Sequence, residues 1–355
     1  TASNASRQQP EKSAADDIVL SDRYFIKQTL FAPNRDLSIT YPIIKGMHDQ
    51  AIEDRVNSFL KDALIPKEML AVTSNETLTY GYRQEFKVSL FKKNLLNLEV
   101  FGYQFPKGAA HGMPIRNHYH LDLTTGKFYD LTDLFLPQSD YVQRLSAMVR
   151  DQIKQDAWPL ISQSLELYKG VAAKQPFSLT ADAIELYFTP YEIAPYAAGF
   201  PTFAIPYDSI GDMIDTNGAL WRSFNDAGNI PSASLPDFQG IMEDYETALV
   251  EAINENNFAL LELRLFPYSS LYDAQKKLVP DLFRKAIKER FEGCEVVGYE
   301  RIPGAKSYRL HVRERIAIQY PGEQFVTKQF EYAYTVKYMP GERGYQLSDI
   351  ERWTN

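Results

Sequence analysis

His120-Leu-Asp-Leu-Thr-Thr-Gly-Lys-Phe-Tyr-Asp-Leu-Thr-Asp-Leu-Phe135 is the segment in the middle of this chain from which local structure is most readily predicted. Apolar residues alternate with polar ones, a Thr-Gly turn interrupts them, and a second short alternation follows. This pattern predicts a β-hairpin. Alternation recurs at residues 76–105, 183–188 and 202–207. The central region is therefore predicted to form antiparallel strands.

Helical periodicity accompanies these strands. Asp49 is placed to cap a helix over residues 49–64, and Pro66 to stop it. A second helix is predicted over residues 141–153. A strand at residues 37–41 comes before the first helix, and residues 42–46 are predicted to break it. The strand, helix, strands order indicates an α+β fold with antiparallel sheets packed on helices. The apolar face of the first helix consists of Ile52, Val56, Phe59, Leu60, Ala63 and Leu64.

The last third of the chain has its own pattern. Turn and breaker residues gather at 217–237, which predicts a linker. One amphipathic helix follows around Tyr245, and another runs from Leu271 to Phe291 with an interruption near Pro280. Four strands then form a meander at residues 295–302, 307–320, 324–338 and 345–350. We predict a tether (1–20), α+β subdomains (21–110 and 111–216), the linker and a C-terminal domain (238–355).

Two short segments identify a family. They are Lys107-Gly-Ala-Ala-His-Gly112 and Tyr187-Phe-Thr-Pro-Tyr-Glu-Ile-Ala-Pro-Tyr-Ala-Ala-Gly199. With the hairpin, they resemble an extracellular domain over roughly residues 36–215. That domain ends the lysozyme-sensing anti-sigma factors and accompanies the catalytic domain of some peptidoglycan deacetylases. The resemblance implies an outward-facing bacterial protein.

The C-terminal part carries a second resemblance. Phe266-Pro-Tyr-Ser-Ser-Leu-Tyr-Asp-Ala-Gln-Lys-Lys-Leu-Val-Pro280, Tyr334-Thr-Val-Lys-Tyr338 and Tyr345-Gln-Leu-Ser-Asp-Ile-Glu351 are similar to the last domain of the teicoplanin-resistance-associated membrane proteins. This resemblance implies a cone-shaped fold like that of nuclear transport factor 2, also called cystatin-like. Together the two resemblances imply a Gram-positive cell-surface protein, anchored by a lipid or a single membrane helix outside this chain.

Charge and cysteine content exclude other classes. The chain has 38 Lys and Arg against 46 Asp and Glu, a formal charge of −8, so it lacks the basic stripe that nucleic acid requires. Cys294 is the one cysteine, which excludes a disulfide-rich scaffold. No apolar run approaches the ~20 residues that span a bilayer.

Candidate site residues come from the family segments. His111 matches the histidine that follows the family's small-residue turn, although Ala109 replaces one of the expected glycines, and Gly112 flanks it. Tyr191, Glu192, Tyr196 and Gly199 match the second segment. The resemblance implies ligand binding there. Alternatively, His111 and Glu192 meet as a general acid and base. A third possibility is structural: Glu192 accepts a hydrogen bond or joins an ion pair that pins an irregular loop.

A metal site is a further alternative. His118, His120 and Asp122 alternate along one strand, so their side chains share a face, and imidazole with carboxylate suits zinc. The competing interpretation is a polar strand face. Phosphate loops, dinucleotide fingerprints, zinc-protease motifs and nucleophile elbows are absent from the sequence. We therefore expect no cofactor.

These observations favour a non-enzymatic, extracytoplasmic binding or sensing protein of the cell envelope. The expected partner is a lysozyme-like protein or a peptidoglycan fragment, without nucleic acid, and with membrane attachment only through an N-terminal anchor. One alternative is a hydrolase of cell-wall glycan or peptide that uses His111 and Glu192 or the histidine face. Another is an envelope scaffold.

Overall fold

The computed structural model describes residues 12–13, 16–155, 164–340 and 344–353. It divides into two compact units, each assembled from separate stretches of chain. The first unit comprises residues 1–137, 176–180 and 214–229, and the second comprises 138–175, 181–213 and 230–355. The predicted tether lies largely outside the described residues; within it, Lys12–Ser13 (β1) and Ile18–Val19 (β2) pair with the strand β3 described below.

The first unit is built on an eight-stranded sheet in the order β1-β3-β4-β5-β6-β7-β8, with β2 also on β3. The predicted hairpin is confirmed, because β7 and β8 pair antiparallel around the turn at Gly126. Besides β1 and β2, the strands of this sheet are Phe25–Phe31 (β3), Leu37–Lys45 (β4), Tyr80–Lys92 (β5), Leu95–Pro106 (β6), Met113–Asp122 (β7) and Phe128–Tyr129 (β8). Strand Phe177–Leu179 (β9) is in the same unit but outside this sheet. The helices are Gln50–Leu64 (α1), Lys67–Leu70 (α2) and Ala219–Phe224 (α5), with a 3₁₀ turn at Leu131–Leu134.

Helix α1 forms where predicted and packs on β4. Asp49 caps it by accepting hydrogen bonds from the Ala51 and Ile52 amides. Its buried face differs from the prediction, since Phe59 is 45% exposed and Glu53 is buried. The Glu53 carboxylate accepts from Lys45 at 2.8 Å and from the Gly46 and Met47 amides at 3.0 and 3.1 Å. Burial opposes ionisation, but these bonds lower the pKa of Glu53 below its ordinary value.

The predicted break at residues 42–46 is wrong, because β4 continues through Pro42 to Lys45. Strand β4 pairs with β5 only over Leu37–Ile39, so Pro42 lies beyond that partner. Further along β4, the side chain of Asn57 from α1 forms the hydrogen bonds that a neighbouring strand would otherwise form. Its side chain accepts from the Ile44 amide at 2.7 Å and donates to the Ile44 carbonyl at 2.9 Å.

The second unit contains the C-terminal domain. Helices pack on the four-stranded antiparallel sheet β12-β13-β14-β15, and a core around Tyr245, Leu310 and Val336 fills the space between them. The predicted α+β class and the predicted meander are confirmed. The elements are Tyr141–Gln155 (α3), Ser164–Leu167 (α4), Ala183–Tyr187 (β10), Thr202–Pro206 (β11), Phe238–Glu255 (α6), Ala259–Glu262 (α7), Ser270–Arg284 (α8), Lys288–Arg301 (β12), Ser307–Gln319 (β13), Val326–Met339 (β14) and Gly344–Arg352 (β15), with 3₁₀ turns at Tyr196–Ala198 and Tyr207–Ser209.

The last predicted helix was too long. Helix α8 runs through Pro280 but ends at Arg284, and Ala286 then takes a φ of 55° before β12 begins at Lys288. Phe291, expected on the helix, pairs with Ile316 in the sheet. Residues 287 and 291 are four apart, a spacing that keeps side chains on one face in both a helix and a strand. The apolar pattern alone therefore did not place the boundary.

Candidate functional site

The loop between β10 and β11, residues 188–201, carries the second family segment. Glu192 accepts two hydrogen bonds from Thr189, from its amide at 2.8 Å and from its hydroxyl at 2.9 Å. The Glu192 amide in turn donates to the Thr189 carbonyl at 3.1 Å. Ile193 and Ala194 are buried and anchor the loop. Glu192 thus pins the loop, as the structural alternative predicted.

This anchoring places an exposed tyrosine beside a half-buried one. Tyr191 is 54% exposed and its ring centroid lies 5.8 Å from that of Tyr196. The Tyr191 φ is 70°, an uncommon conformation for a residue with a side chain, and its amide donates to the Ala194 carbonyl. Gly199 closes the segment at φ 61° and ψ −118°, a conformation essentially restricted to glycine. This backbone conformation holds the Tyr191 side chain outward, with the half-buried Tyr196 ring beside it.

The other end of the same hairpin is fixed by ion pairs. Asp182, just before β10, pairs with Lys306 at 2.9 Å, and both side chains are less than a tenth exposed. Asp208, just after β11, accepts a bidentate pair from Arg301 with both distances at 2.8 Å. The Arg301 guanidinium is the main reason why the pKa of Asp208 is lowered. The loop therefore stands on a hairpin held by the β12–β13 turn.

His111 and Gly112 lie in the first unit, whereas the Tyr191 loop lies in the second. His111 is exposed, and its Nδ1 is 3.2 Å from the Gly112 carbonyl. The Gly112 amide donates to the Tyr103 hydroxyl at 2.8 Å. A Cβ at Gly112 would come within 2.3 Å of the Gln104 carbonyl oxygen, so the turn requires glycine.

The proposed metal ligands have other partners. His120 is buried with Nε2 3.2 Å from the Phe177 carbonyl, and Asp122 accepts from the Thr124 amide and the Tyr129 hydroxyl. Burial, with the Arg116 charge next in importance, lowers the pKa of His118 to about 2, and burial lowers that of His120 to about 4. Within the described part of the chain, no group of three or more His, Cys, Asp or Glu is arranged to hold a metal ion.

Sequence reasoning missed a buried acidic pair in the C-terminal domain. Glu246 and Glu314 are 1% and 4% exposed, and the Tyr334 hydroxyl lies 3.1 Å from Oε1 of each. Burial is the main cause that raises the pKa of both carboxyl groups. Glu314 lies on the same face of β13 as the buried Leu310, Val312 and Ile316, whereas Arg313 and Arg315 on the other face are exposed. Its position in the alternation was therefore a local signal that this carboxyl group is buried.

The same domain contains a small cavity of about 270 Å³. Arg264 forms a bidentate ion pair with Asp244 at its edge, with both distances at 2.9 Å. The other lining residues are Ile241, Leu263, Tyr345 and Leu347.

Two regions of the chain are similar to known protein families. Residues 132–208 match the family model described as "Protein of unknown function (DUF3298)", and residues 236–351 match the "TcaA protein NTF2-like domain". These two regions are similar to those two families. The two resemblances inferred from sequence are thereby confirmed. The DUF3298 match includes Tyr191 and Glu192, but it begins after His111, which therefore lies outside it.

Two proteins of Bacillus subtilis are similar to this chain. One is the peptidoglycan-N-acetylmuramic acid deacetylase PdaC, 24% identical over 50% of this chain and 38% of that protein. The other is the uncharacterized membrane protein YvbJ, 29% identical over 35% of this chain and 21% of that protein. The chain thus spans less than half the length of either relative. Both are named for the cell wall or the membrane.

Solved structures of two DUF3298 family proteins also match. The protein from Bacteroides fragilis has a TM-score of 0.44 at 19% identity, over 57% of this chain and 96% of that one. The protein from Pseudomonas aeruginosa has a TM-score of 0.40 at 20% identity, over 58% and 99%. Among the described residues, no helix is both long and apolar enough to cross a membrane.

Proposed function

We propose that this chain is a non-enzymatic extracytoplasmic binding protein of the bacterial cell envelope that recognises a cell-wall-related ligand through the Tyr191 loop. The ligand is a peptidoglycan fragment or a lysozyme-like protein that acts on peptidoglycan. The observation that carries the proposal is the exposed Tyr191 beside the half-buried Tyr196 on a loop pinned by Glu192. Tyrosines held in place lose little side-chain entropy on binding, and they offer ring faces to sugars and hydroxyls to protein groups.

Other observations support the same proposal. The loop lies inside the region that matches DUF3298, and one relative acts on peptidoglycan by its name. The chain carries a net charge of −8, which would steer a basic muramidase toward it. Glu192 is engaged with Thr189 and is therefore placed to hold the loop rather than to transfer protons.

The test is a binding measurement by biolayer interferometry, with lysozyme and solubilised peptidoglycan fragments as separate analytes at low and physiological salt. We expect saturable binding of at least one analyte that survives physiological salt. Tyr191→Ala combined with Tyr196→Ala should weaken it about tenfold or more, since aromatic anchors are typical hot spots. Tyr268→Ala is a matched control, because Tyr268 also has a positive φ (61°) and is 44% exposed in the same unit.

Two outcomes would count against the proposal. Equal losses in the Tyr268 control and the loop variant would show that the loop is not the binding surface. Turnover of peptidoglycan fragments that is lost in His111→Ala or Glu192→Ala would make the chain an enzyme.

A further inference from the structure

One end of the C-terminal domain exposes apolar side chains on a hairpin. Strand β13 ends at Gln319 and β14 begins at Val326, and in this turn region Tyr320, Phe325 and Val326 are 39%, 36% and 55% exposed. The turn is internally bonded: the Glu323 amide donates to the Tyr320 carbonyl at 3.0 Å, and the Gln319 side chain donates to the Glu323 carbonyl at 2.9 Å. The apolar side chains are therefore held outward.

Cations lie against these aromatic rings. The Arg290 guanidinium is 4.9 Å from the centroid of the Phe325 ring. The Lys328 ammonium is 5.1 Å from the centroid of the Tyr320 ring and 3.3 Å from its hydroxyl. We call these five residues, Tyr320, Phe325, Val326, Arg290 and Lys328, the basic hairpin tip.

The C-terminal end of helix α8 contributes an exposed aromatic ring and further cations to the same end of the domain. Three residues separate Arg284, where α8 ends, from Lys288, which pairs with Gln319 at the base of the tip. Phe283 is 49% exposed there, and Arg284, Lys285 and Lys288 are exposed cations.

The neighbouring carboxylates are mostly engaged. Glu292 is bonded to Arg290 and Thr327, and Asp281 pairs with Lys285, while Glu323 is exposed in the turn. The cations at this end are Arg284, Lys285, Lys288, Arg290 and Lys328, against the carboxylates Asp281, Glu289, Glu292 and Glu323, which leaves a small positive excess beside exposed rings in a chain whose total charge is −8.

This combination fits a lipid surface better than other partners. Aromatic rings and Lys or Arg side chains favour the membrane–water interface, where the rings reach the acyl boundary and the charges remain among the headgroups. Basic residues close to the surface are drawn to anionic lipids. A soluble anionic polymer would use the cations but offers no apolar layer for Val326 and Phe325. We propose that the basic hairpin tip docks on an anionic phospholipid surface.

The proposal is tested by co-sedimentation of the whole chain with vesicles of phosphatidylcholine containing phosphatidylglycerol, against vesicles of phosphatidylcholine alone. We expect binding to the anionic vesicles only, weakened by salt. Arg290→Gln with Lys328→Gln should reduce partitioning about tenfold or more. Phe325→Ser with Val326→Ser should also reduce it, although the charge is unchanged. The control is Leu235→Ser, since Leu235 is 57% exposed and is not one of the residues of the basic hairpin tip.

Equal binding to both vesicle types, no binding, or unaffected tip variants would overturn the proposal. Loss of binding to purified cell-wall polymer in the tip variants, without vesicle binding, would assign the tip to a polymer and overturn it too. The variants leave the Tyr191 loop intact, so this proposal and the proposed function fail independently.

Discussion

At the scale of single residues, Glu246 and Glu314 are two buried carboxyl groups that share the hydroxyl of Tyr334. Neither has a cation in these bonds, so ionising both would place two like charges in an apolar core. Burial and their mutual repulsion raise the pKa of Glu246 well above its ordinary value, and burial raises that of Glu314. The folded domain therefore retains a proton that an unfolded chain releases.

This arrangement predicts that stability falls as pH rises. Above the ordinary glutamate pKa of 4.5 the unfolded chain binds fewer protons than the folded one, so the free energy of unfolding decreases until pH passes the raised pKa values. Glu246→Gln imitates the protonated group at every pH. It should stabilise the chain by about 1 kcal/mol or more at mildly alkaline pH and by less near pH 4. Thermal unfolding across this pH range measures the difference.

The exposed Glu243→Gln on the same helix is the control and should change stability by less than about 0.5 kcal/mol. A Glu246→Gln effect that does not vary with pH would contradict shared protonation of the pair.

Hydrogen-bond partners that are near each other in the sequence could be predicted, whereas ion-pair partners far apart in the sequence could not. Glu192 and Thr189 are three residues apart, so a loop-pinning role was within reach of sequence reasoning. Lys306 and Asp182 are 124 residues apart, and no pattern in one chain indicates which carboxylate a buried lysine meets. His118 and His120 looked like an exposed polar row because alternation reveals a shared face but not what covers it.

At the level of elements, Asn57 bonds the edge of β4 that β5 no longer covers, while β3 still pairs with the other edge. Its side chain satisfies both backbone groups of Ile44, which would otherwise lack a bond at that edge. Asn57→Ala should lower the free energy of unfolding by roughly 1–3 kcal/mol because two partly buried backbone groups lose their partner. Chemical denaturation measures this loss.

Ser58→Ala on the exposed side of the same helix is the control, with an expected change within about 0.5 kcal/mol. Equal stability of the Asn57 and Ser58 variants would show that the Ile44 backbone does not depend on the side chain.

Helices with strong local sequence signals were predicted correctly, whereas boundaries that depend on tertiary structure were not. The cap at Asp49 and the apolar stripe on α3 marked helices that the structure confirms, with Leu145, Val149 and Ile153 buried. Pro42 misled because its effect depends on which strand edge it occupies, a tertiary property. The end of α8 was missed because Ile287 and Phe291 fit both periods. Phe59 was predicted to be buried because the apolar stripe of α1 indicates which face packs, but not how far the neighbouring elements cover that face.

At the scale of the whole molecule, the family domains and the compact units divide the chain differently. The DUF3298 match covers residues 132–208, yet residues 181–208 of that region pack in the same compact unit as the TcaA-type domain. Asp182 with Lys306 and Asp208 with Arg301 join the two matches within this unit. The hairpin that carries the Tyr191 loop and the C-terminal sheet are therefore expected to unfold together.

Lys306→Met tests this coupling. Removing one member of a buried pair leaves Asp182 uncompensated, so the free energy of unfolding should fall by about 3 kcal/mol or more. Hydrogen exchange should accelerate in β10 and β11 and in the β12–β13 turn at the same time. Arg309→Met breaks the exposed pair with Glu351 on the same sheet and should cost less than about 1 kcal/mol. Faster exchange confined to the β12–β13 turn would show that the β10–β11 hairpin does not depend on this ion pair. The C-terminal domain would then not influence ligand binding at the Tyr191 loop.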